Sequence, residues 1–255
     1  LVTLCYHREE LEVGLKKVTK KIDQIYAKKK GRGEPQILVE EFMEGSMYSI
    51  DTYVNQRGVT YHTPLVHVKT GRAVGYEDFF GYQRITPVNL KPHKIEAARR
   101  VAEKAVEALN LRSTNCHIEL MKTEDGWKVI ELGPRIGGFR HEMYELSYGI
   151  DHSMNDILIR LPKKPVLPKK TKGYTVVMQF YARQKGRLVS LEGINKIRKV
   201  ESFSRIQLKK KIGDMCQFAK NGGNSVFNII LSNPDRSRLL ADIRRLEQVI
   251  KIETA

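Results

Sequence analysis

The sequence predicts an α+β fold in which antiparallel sheets carry packed helices, followed by a smaller C-terminal α/β segment. Three observations point there. The segments MYSIDTYV and VTYHTPLVHV alternate apolar and polar side chains, the period of half-buried antiparallel strands. NCHIELMKT and WKVIELG flank an E-D-G turn and read as a hairpin. Between these pairs, HKIEAARRVAEKAVEALN (93–110) repeats small and apolar side chains at helical spacing.

In chain order, LVTLC reads as a strand. A long helix follows, with Leu11, Leu15, Val18, Ile22 and Ile25 on its inner face and its lysines in water. A basic loop, KKKGRGEP (28–35), leads to a strand, QILVEEF, and then to the two alternating strands. Residues 69–92 are rich in Gly, Tyr, Phe and Pro without clear period. They read as a long loop, the kind that forms lids, with Tyr82 and Arg84 able to close over a substrate. After the helix and hairpin come PRIGG and helices near 141–148 and 152–160. The segment 161–172, with three prolines and five lysines, reads as a linker. Beyond it GYTVVMQFYA, GRLVSLEG and NSVFNIILS read as strands and DRSRLLADIRRLEQVI as a helix capped by Asp235. The predicted domains are therefore 1–160, a linker at 161–172, and a C-terminal subdomain at 173–255 packed on the first.

Composition narrows the function classes. At 255 residues and 41% hydrophobic content the chain can fill a real core. No apolar run approaches the ~18–20 residues that cross a bilayer. Three widely spaced cysteines give neither a disulfide framework nor a C-x-x-C metal site, which fits a reducing cytoplasm. The net charge of +16 would attract polyanions, with clusters at 16–30 and 209–211. Nucleic acid is disfavoured as a partner, because no zinc-finger, RNP or KH pattern accompanies either cluster. The chain opens on Leu1 rather than Met, and the expectation is that the protein starts upstream.

The chemistry-bearing residues concentrate in the hairpin. Glu119, in H-I-E-L, and Glu131, in V-I-E-L-G-P-R, fall opposite one another when counted from the turn at Asp125 and Gly126, on faces that look inward. Like charges across a ladder repel unless something neutralises them, and two hard carboxylates suit Mg²⁺, which completes its shell with water and phosphate oxygens. The plain alternative is a pair of surface glutamates. Arg135 follows Glu131 by four residues and can stabilise charge on a transferring phosphoryl group, while Gly137 and Gly138 permit close backbone approach. QILVEEFMEG ends at carboxylates and apolar Phe42 and Met43 before turning at Gly45, a shape that can clamp a purine edge or serve simply as an edge strand.

Together these stretches resemble the ATP-grasp superfamily over residues 1–160. Its E-x-[FYW]-[ILM]-x-G segment is matched from Glu40 to Gly45, its H-x-E-L strand from His117 to Leu120, and its E-[ILM]-N-x-R strand from Glu131 to Arg135. The resemblance implies an ATP- and Mg²⁺- (or Mn²⁺-) dependent carboxylate–amine ligase of the cytoplasm, forming a C–N bond between a small carboxylate and an amine through an acyl phosphate. It further implies that Glu40, Glu41, Phe42 and Met43 contact adenine, that Glu119 and Glu131 hold the metal, and that Arg135 meets phosphate. Arg140 and His141, just after Gly137 and Gly138, are placed to read a substrate carboxylate or amine, and His117 to pack beside the metal strand. A homodimer is compatible with it; a membrane partner is not. The tail, with Gly186, Gly193 and Gly213, is similar to the C-terminal region of amino-acid ligases of this superfamily; biotin carboxylase-type enzymes are the alternative. Two positions depart from the pattern: Gly133 stands where many members have a metal-binding asparagine, and Met47 where some have a glutamate toward the ribose. The superfamily's two lysines and glycine-rich phosphate loop are absent from this sequence, so a non-catalytic nucleotide-binding protein is a further reading.

Overall fold

The structure is a computed structural model that describes residues 3–28, 34–76, 79–168, 170–219 and 224–255. Leu1 and Val2 of LVTLC, most of the basic loop 28–35, Lys169 of the expected linker and the Ile25 side chain lie outside the described residues. The chain divides into two compact units, residues 1–44 and 45–255.

In the first unit the expected long helix is two, α1 (Arg8–Thr19) and α2 (Ile22–Lys28). Glu10 accepts a hydrogen bond from the Tyr6 amide at 2.7 Å, which ties down the entry to α1. Leu11, Leu15 and Val18 are half-buried and Lys16, Lys17 and Lys20 are exposed, the solvated lysine face the pattern predicts. The strand expected at QILVEEF does not form. Residues 34–44 are irregular, and Leu38 and Val39 are 77% and 54% exposed. A strand exists only through a neighbour's hydrogen-bond ladder, and no described residue of this unit is in a strand that could supply one.

The second unit runs β1 (Ser46–Val54), β2 (Thr60–His62), β3 (Val66–Thr70), a 3₁₀ turn (Arg72–Val74), β4 (Gly81–Thr86), α3 (Pro92–Ala108), β5 (Thr114–Lys122), β6 (Trp127–Gly133), α4 (Arg140–Tyr148), α5 (His152–Arg160), β7 (Tyr174–Phe180), β8 (Gly186–Glu192), α6 (Ile194–Ile197), β9 (Phe203–Leu208), β10 (Met215–Cys216), β11 (Phe227–Asn233), α7 (Arg236–Val249) and β12 (Lys251–Thr254). Eight strands form one antiparallel sheet in the order β6-β5-β1-β3-β4-β7-β11-β9, with β2 paired to the end of β1; β10-β8-β12 form a small second sheet. The segment 161–172 thus leads into β7, which lies directly beside β4 in the main sheet.

Two expectations are corrected. VTYHTPLVHV is split into β2 and β3 at Thr63-Pro64-Leu65, where proline has no N–H for a ladder. The expected loop 69–92 contains β4, so Tyr82 and Arg84 are strand residues and not a lid. Tyr82 is packed against Phe180 in the core. The strand escapes pattern reading because it is central: Tyr82, Gln83, Ile85 and Thr86 are all buried, and burial on both faces erases alternation.

Register carries one face across the whole sheet. Tyr48, Ile50, Cys116, Ile118 and Leu120 pack on Ala98, Ala102 and Val106 of α3, where small side chains let the helix sit close. On the same face Val176, Met178, Phe227 and Ile229 pack on Leu239, Ile243 and Leu246 of α7. Fully burying one such aliphatic side chain contributes ~1.5–3 kcal/mol. Helix termini follow their caps. Asp151 accepts from the Met154 amide at 2.8 Å, and Asp235 accepts from Ser237 and Arg238 at the start of α7. α4 and α5 cover the opposite face, with Val66, Val177 and Ile230 under Met143 and Tyr144. That second face carries the polar residues.

Candidate active site

On β1 the residues turned toward α4 and α5 are Ser49, Asp51 and Tyr53; on β5 they are Asn115, His117 and Glu119. Register pairs them as Ser49 with Glu119, Asp51 with His117 and Tyr53 with Asn115. Asp51 has no exposed surface. It accepts from His117 Nδ1 and His152 Nε2, each at 2.6 Å, and from the Gly137 amide at 3.0 Å. His152 in turn takes the Tyr53 hydroxyl at Nδ1, at 2.6 Å. Burial works against the Asp51 charge, but the hydrogen bonds from the two histidines outweigh it and hold the carboxyl well below its ordinary value. The first strand, the hairpin, the glycine loop and α5 are thereby pinned to one buried anion.

His117 carries this network to the hairpin, its Nε2 lying 3.5 Å from Glu119 Oε1. Burial lowers the His117 pKa, yet hydrogen bonds to Asp51 and Glu119 more than reverse that and raise it. Burial likewise raises the Glu119 pKa, and the His117 hydrogen bond with the charges of His117, Arg84 and Arg140 brings it below the ordinary value. Glu119 is therefore ionised and oriented.

Glu131 faces Glu119 directly across the ladder. The ladder shifts between Glu119 and Leu120, which pairs with Val129, so one extra residue of β6, Ile130, brings Glu131 opposite. The expectation that both glutamates point inward is corrected for Glu131. β6 is the edge of the sheet, and the Glu131 side chain is 58% exposed against 26% for Glu119. Arg135 Nη2 lies 3.9 Å from Glu131 Oε1, also in the open.

Arg140 is the opposite case, 1% exposed. It donates to Ser49 Oγ at 2.6 Å and to the Gly138 carbonyl at 3.1 Å, and its Nε has no partner among the described residues. Gly137 is required for this packing: a Cβ there would stand 2.4 Å from His117 Nδ1 and 2.7 Å from Arg140 Cγ. At Gly138 the same atom would meet nothing within 4 Å. The structure does not bring His141 to this face. It is exposed, 3.7 Å from Glu145 and 3.4 Å from the Ser153 hydroxyl, one residue round the helix from Arg140. Glu40, Glu41, Phe42 and Met43 belong to the first unit, in the irregular stretch, with only Met43 half-buried.

Could this face hold a divalent metal? Among the described residues no three His, Cys, Asp or Glu side chains gather as a ligand set. Two carboxylates in register, one ordered and one free to move, suit Mg²⁺ or Mn²⁺, which take few protein ligands and keep water and phosphate oxygens. The residues present fit such an ion.

Sequence reading missed Asp51, His152, Tyr53 and Ser49. The signal was available: SMYSIDTYV carries Ser, Asp and Tyr at alternate positions of a strand otherwise apolar, and TNCHIEL carries Asn, His and Glu in the same phase.

The family of the ATP-grasp domain matches residues 1–142. The chain belongs to the ATP-grasp family. The fold agrees. An L-amino acid ligase from Bacillus licheniformis superposes with a TM-score of 0.81 at 21% identity, over 98% of this chain and 61% of that one. A phosphoribosylglycinamide synthetase from Anaerococcus prevotii gives 0.66 at 17% identity, over 84% and 55%. The biotin carboxylase domain of the Hydrogenobacter thermophilus 2-oxoglutarate carboxylase, in complex with MgADP and bicarbonate, gives 0.65 at 16% over 99% and 54%. Among curated proteins, the uncharacterized protein y4rH of Sinorhizobium fredii is 24% identical over 86% of this chain and 44% of its own length. This ATP-grasp chain thus spans 44% to 61% of the length of these relatives. Among its described residues no helix is long and apolar enough to cross a membrane.

Proposed function

We propose that this ATP-grasp chain belongs to an ATP- and Mg²⁺-dependent carboxylate–amine ligase that activates a small carboxylate, an amino acid, as an acyl phosphate for attack by an amine. The observation that carries the reading is the in-register pair Glu119 and Glu131 beside Arg135, set at the end of a buried hydrogen-bond network in a family whose domain is named for ATP. The fold likeness to an amino-acid ligase supports the substrate class.

In this reading Glu119 and Glu131 hold the metal, and Glu40, Glu41, Phe42 and Met43 meet the adenine. When bound, the metal neutralises phosphate oxygens as charge shifts between them. The chain's own residues do the positioning. Asp51 and His117 fix the Glu119 carboxylate, so that one of the two ligands is oriented before any ligand arrives. Arg135 is free to swing and meets the transferring phosphoryl group; the loss of one such charge-stabilising donor typically slows turnover by ~10²–10³-fold. Arg140, buried and held rigid by Ser49 and Gly138, lends its positive charge to the reacting carboxylate, and Gly137 and Gly138 let backbone come close. No side chain serves as a covalent nucleophile; catalysis rests on placement and charge.

Glu131→Gln tests the assignment. Mg²⁺-dependent ADP formation by the protein, screened over amino acids and amines, is expected to fall by at least ~10²-fold, with unfolding free energy unchanged within ~0.5 kcal/mol. Undiminished turnover sinks the assignment. A second reading, a nucleotide binder without turnover, is favoured by Gly133, which leaves β6 one ligand short of the asparagine pattern. Calorimetric MgATP binding with no phosphate release for any acceptor would establish it instead.

A further inference from the structure

Most arginines of this chain that meet a carboxylate do so near water. Arg8 with Glu12, Arg99 with Glu96, Arg160 with Asp156, Arg205 with Glu142 and Arg238 with Glu201 all have guanidinium side chains more than a third exposed. The two arginines drawn into the polar face do the reverse. Neither Arg140 nor Arg84 forms an ion pair with any described carboxylate, although a cation taken out of water needs one most.

Arg84 stands on β4, three strands from Glu119 in the order β5-β1-β3-β4, so that their backbones lie roughly 14 Å apart at the usual strand spacing while the long side chains bring the two charges closer. Its Nη1 donates to Gln179 Oε1 at 2.5 Å and to the Gly81 carbonyl at 3.1 Å, and its guanidinium lies over the Phe139 ring at 5.8 Å. Behind it runs a chain of neutral amides. Gln179 donates to Asn228 at 3.5 Å, and Asn228 to Gln207 at 3.4 Å, across β7, β11 and β9. Gln179 and Asn228 are 9% and 2% exposed. A structural arginine would be matched by a carboxylate here. Amides instead hold the guanidinium in place without cancelling its charge, leaving the remaining N–H groups to an external anion. Burial, and next the neighbouring charge of Arg140, lower the Arg84 pKa to about 10, and the opposing pull of Tyr181 and Glu119 does not offset them.

We propose that Arg84, backed by Gln179, anchors a carboxylate of the substrates that is not the one activated at Glu119. The site selects acids bearing a second charged group at the far end from the reacting one. That group is either a side-chain carboxylate of the donor acid or the carboxylate of the acceptor amine, the same chemistry from two sources. The assignment rests on the ligase reading for which carboxylate reacts, but the anion site itself stands on Arg84.

The test compares wild type with Arg84→Met and Arg84→Lys, in the protein with a non-hydrolysable Mg·ATP analogue. Calorimetry is run with glutarate and L-glutamate against their monoamides glutaramate and L-glutamine for the donor arm, and with L-alanine against L-alaninamide for the acceptor arm. Wild type is expected to bind the free acid at least tenfold more tightly than the amide in one arm, which names the source. Arg84→Met should reduce that ratio to about one and leave nucleotide affinity unchanged, and Arg84→Lys should fall between. Failure of wild type to separate acid from amide in either arm overturns the proposal. So does an equal effect of Arg84→Met on acid and amide, or a parallel loss of nucleotide affinity. The ligase reading fails separately: absent ADP formation with Arg84-dependent discrimination intact rejects the enzyme and keeps the anchor.

Discussion

The two halves of the hairpin face differ in how they are held. On one side, Asp51 of β1, His117 of β5, His152 of α5 and Arg140 of α4 are buried and bind one another at 2.6–3.0 Å or to adjoining backbone and hydroxyl groups. On the other, Glu131 of β6 and Arg135 just beyond it are more than half exposed and reach each other only at 3.9 Å. One half is built before any ligand arrives and the other waits to be completed. In the proposed ligase reading, two carboxylates of one ladder rung therefore have different work: Glu119 sets position, and Glu131 supplies an adaptable charge. Substitutions in the locked half should cost folding, and those in the open half should cost only binding or turnover.

The largest effect is expected at Asp51. Asp51→Ala removes the acceptor for two histidines and the Gly137 amide, a broken buried charge network worth ~3–5 kcal/mol by urea unfolding. Glu131→Gln in the same assay should move stability by under ~0.5 kcal/mol. The pH dependence has a defined sign. The Asp51 carboxyl is lowered from 3.8 because the histidine hydrogen bonds outweigh burial, so its stabilisation is complete above 3.8 and lost only as acid carries the pH well below it. The gap between wild type and Asp51→Ala should persist down to that range and close beneath it. A loss under ~1 kcal/mol for Asp51→Ala would erase the distinction between the halves.

Two adjacent glycines sharpen the boundary. Gly137→Ala forces a methyl into His117 and Arg140 and is expected to cost ~1–3 kcal/mol. Gly138→Ala meets nothing within 4 Å and should stay within ~0.5 kcal/mol. Equal effects in thermal unfolding would place the edge of the locked half elsewhere.

What could be read from sequence was local. The helix at 93–110 shows its spacing, Asp235 its cap, and the hairpin its E-D-G turn, each within one element. The glutamate pair was legible for a less secure reason. Counting along the ladder from Lys122 opposite Trp127 gives Ile130 as the partner of Glu119, and only the bulge substitutes Glu131. The buried network was hidden because its members are 66, 86 and 101 residues from Asp51, and nothing local says which strands and helix will adjoin. Arg84 and Gln179 are 95 residues apart on central strands without alternation. QILVEEF shows the reverse error: strand-like composition predicts a strand, but composition does not supply a partner.

The smallest effect, and the finest test of the open half, is at Gly133. It pairs with His117 and so presents its Cα hydrogen to the same face as Glu131, two residues back. The three atoms nearest a Cβ built there all belong to the Arg135 side chain, Nε at 3.4 Å, and that side chain is 60% exposed and able to yield. Gly133→Asn is therefore sterically open, and its amide oxygen would add a third hard donor beside the two carboxylates. Mn²⁺ titration followed by water-proton relaxation, without nucleotide, should show affinity rising about tenfold, or ~1.4 kcal/mol. Melting in metal-free buffer should not change, because the open half contributes little to folding. If Mn²⁺ affinity is the same with Gly and Asn at 133 while Glu131→Gln weakens it, the ion sits toward β5, and Glu119 with the locked half governs it. If neither substitution changes affinity, the glutamate rung is not where the metal binds.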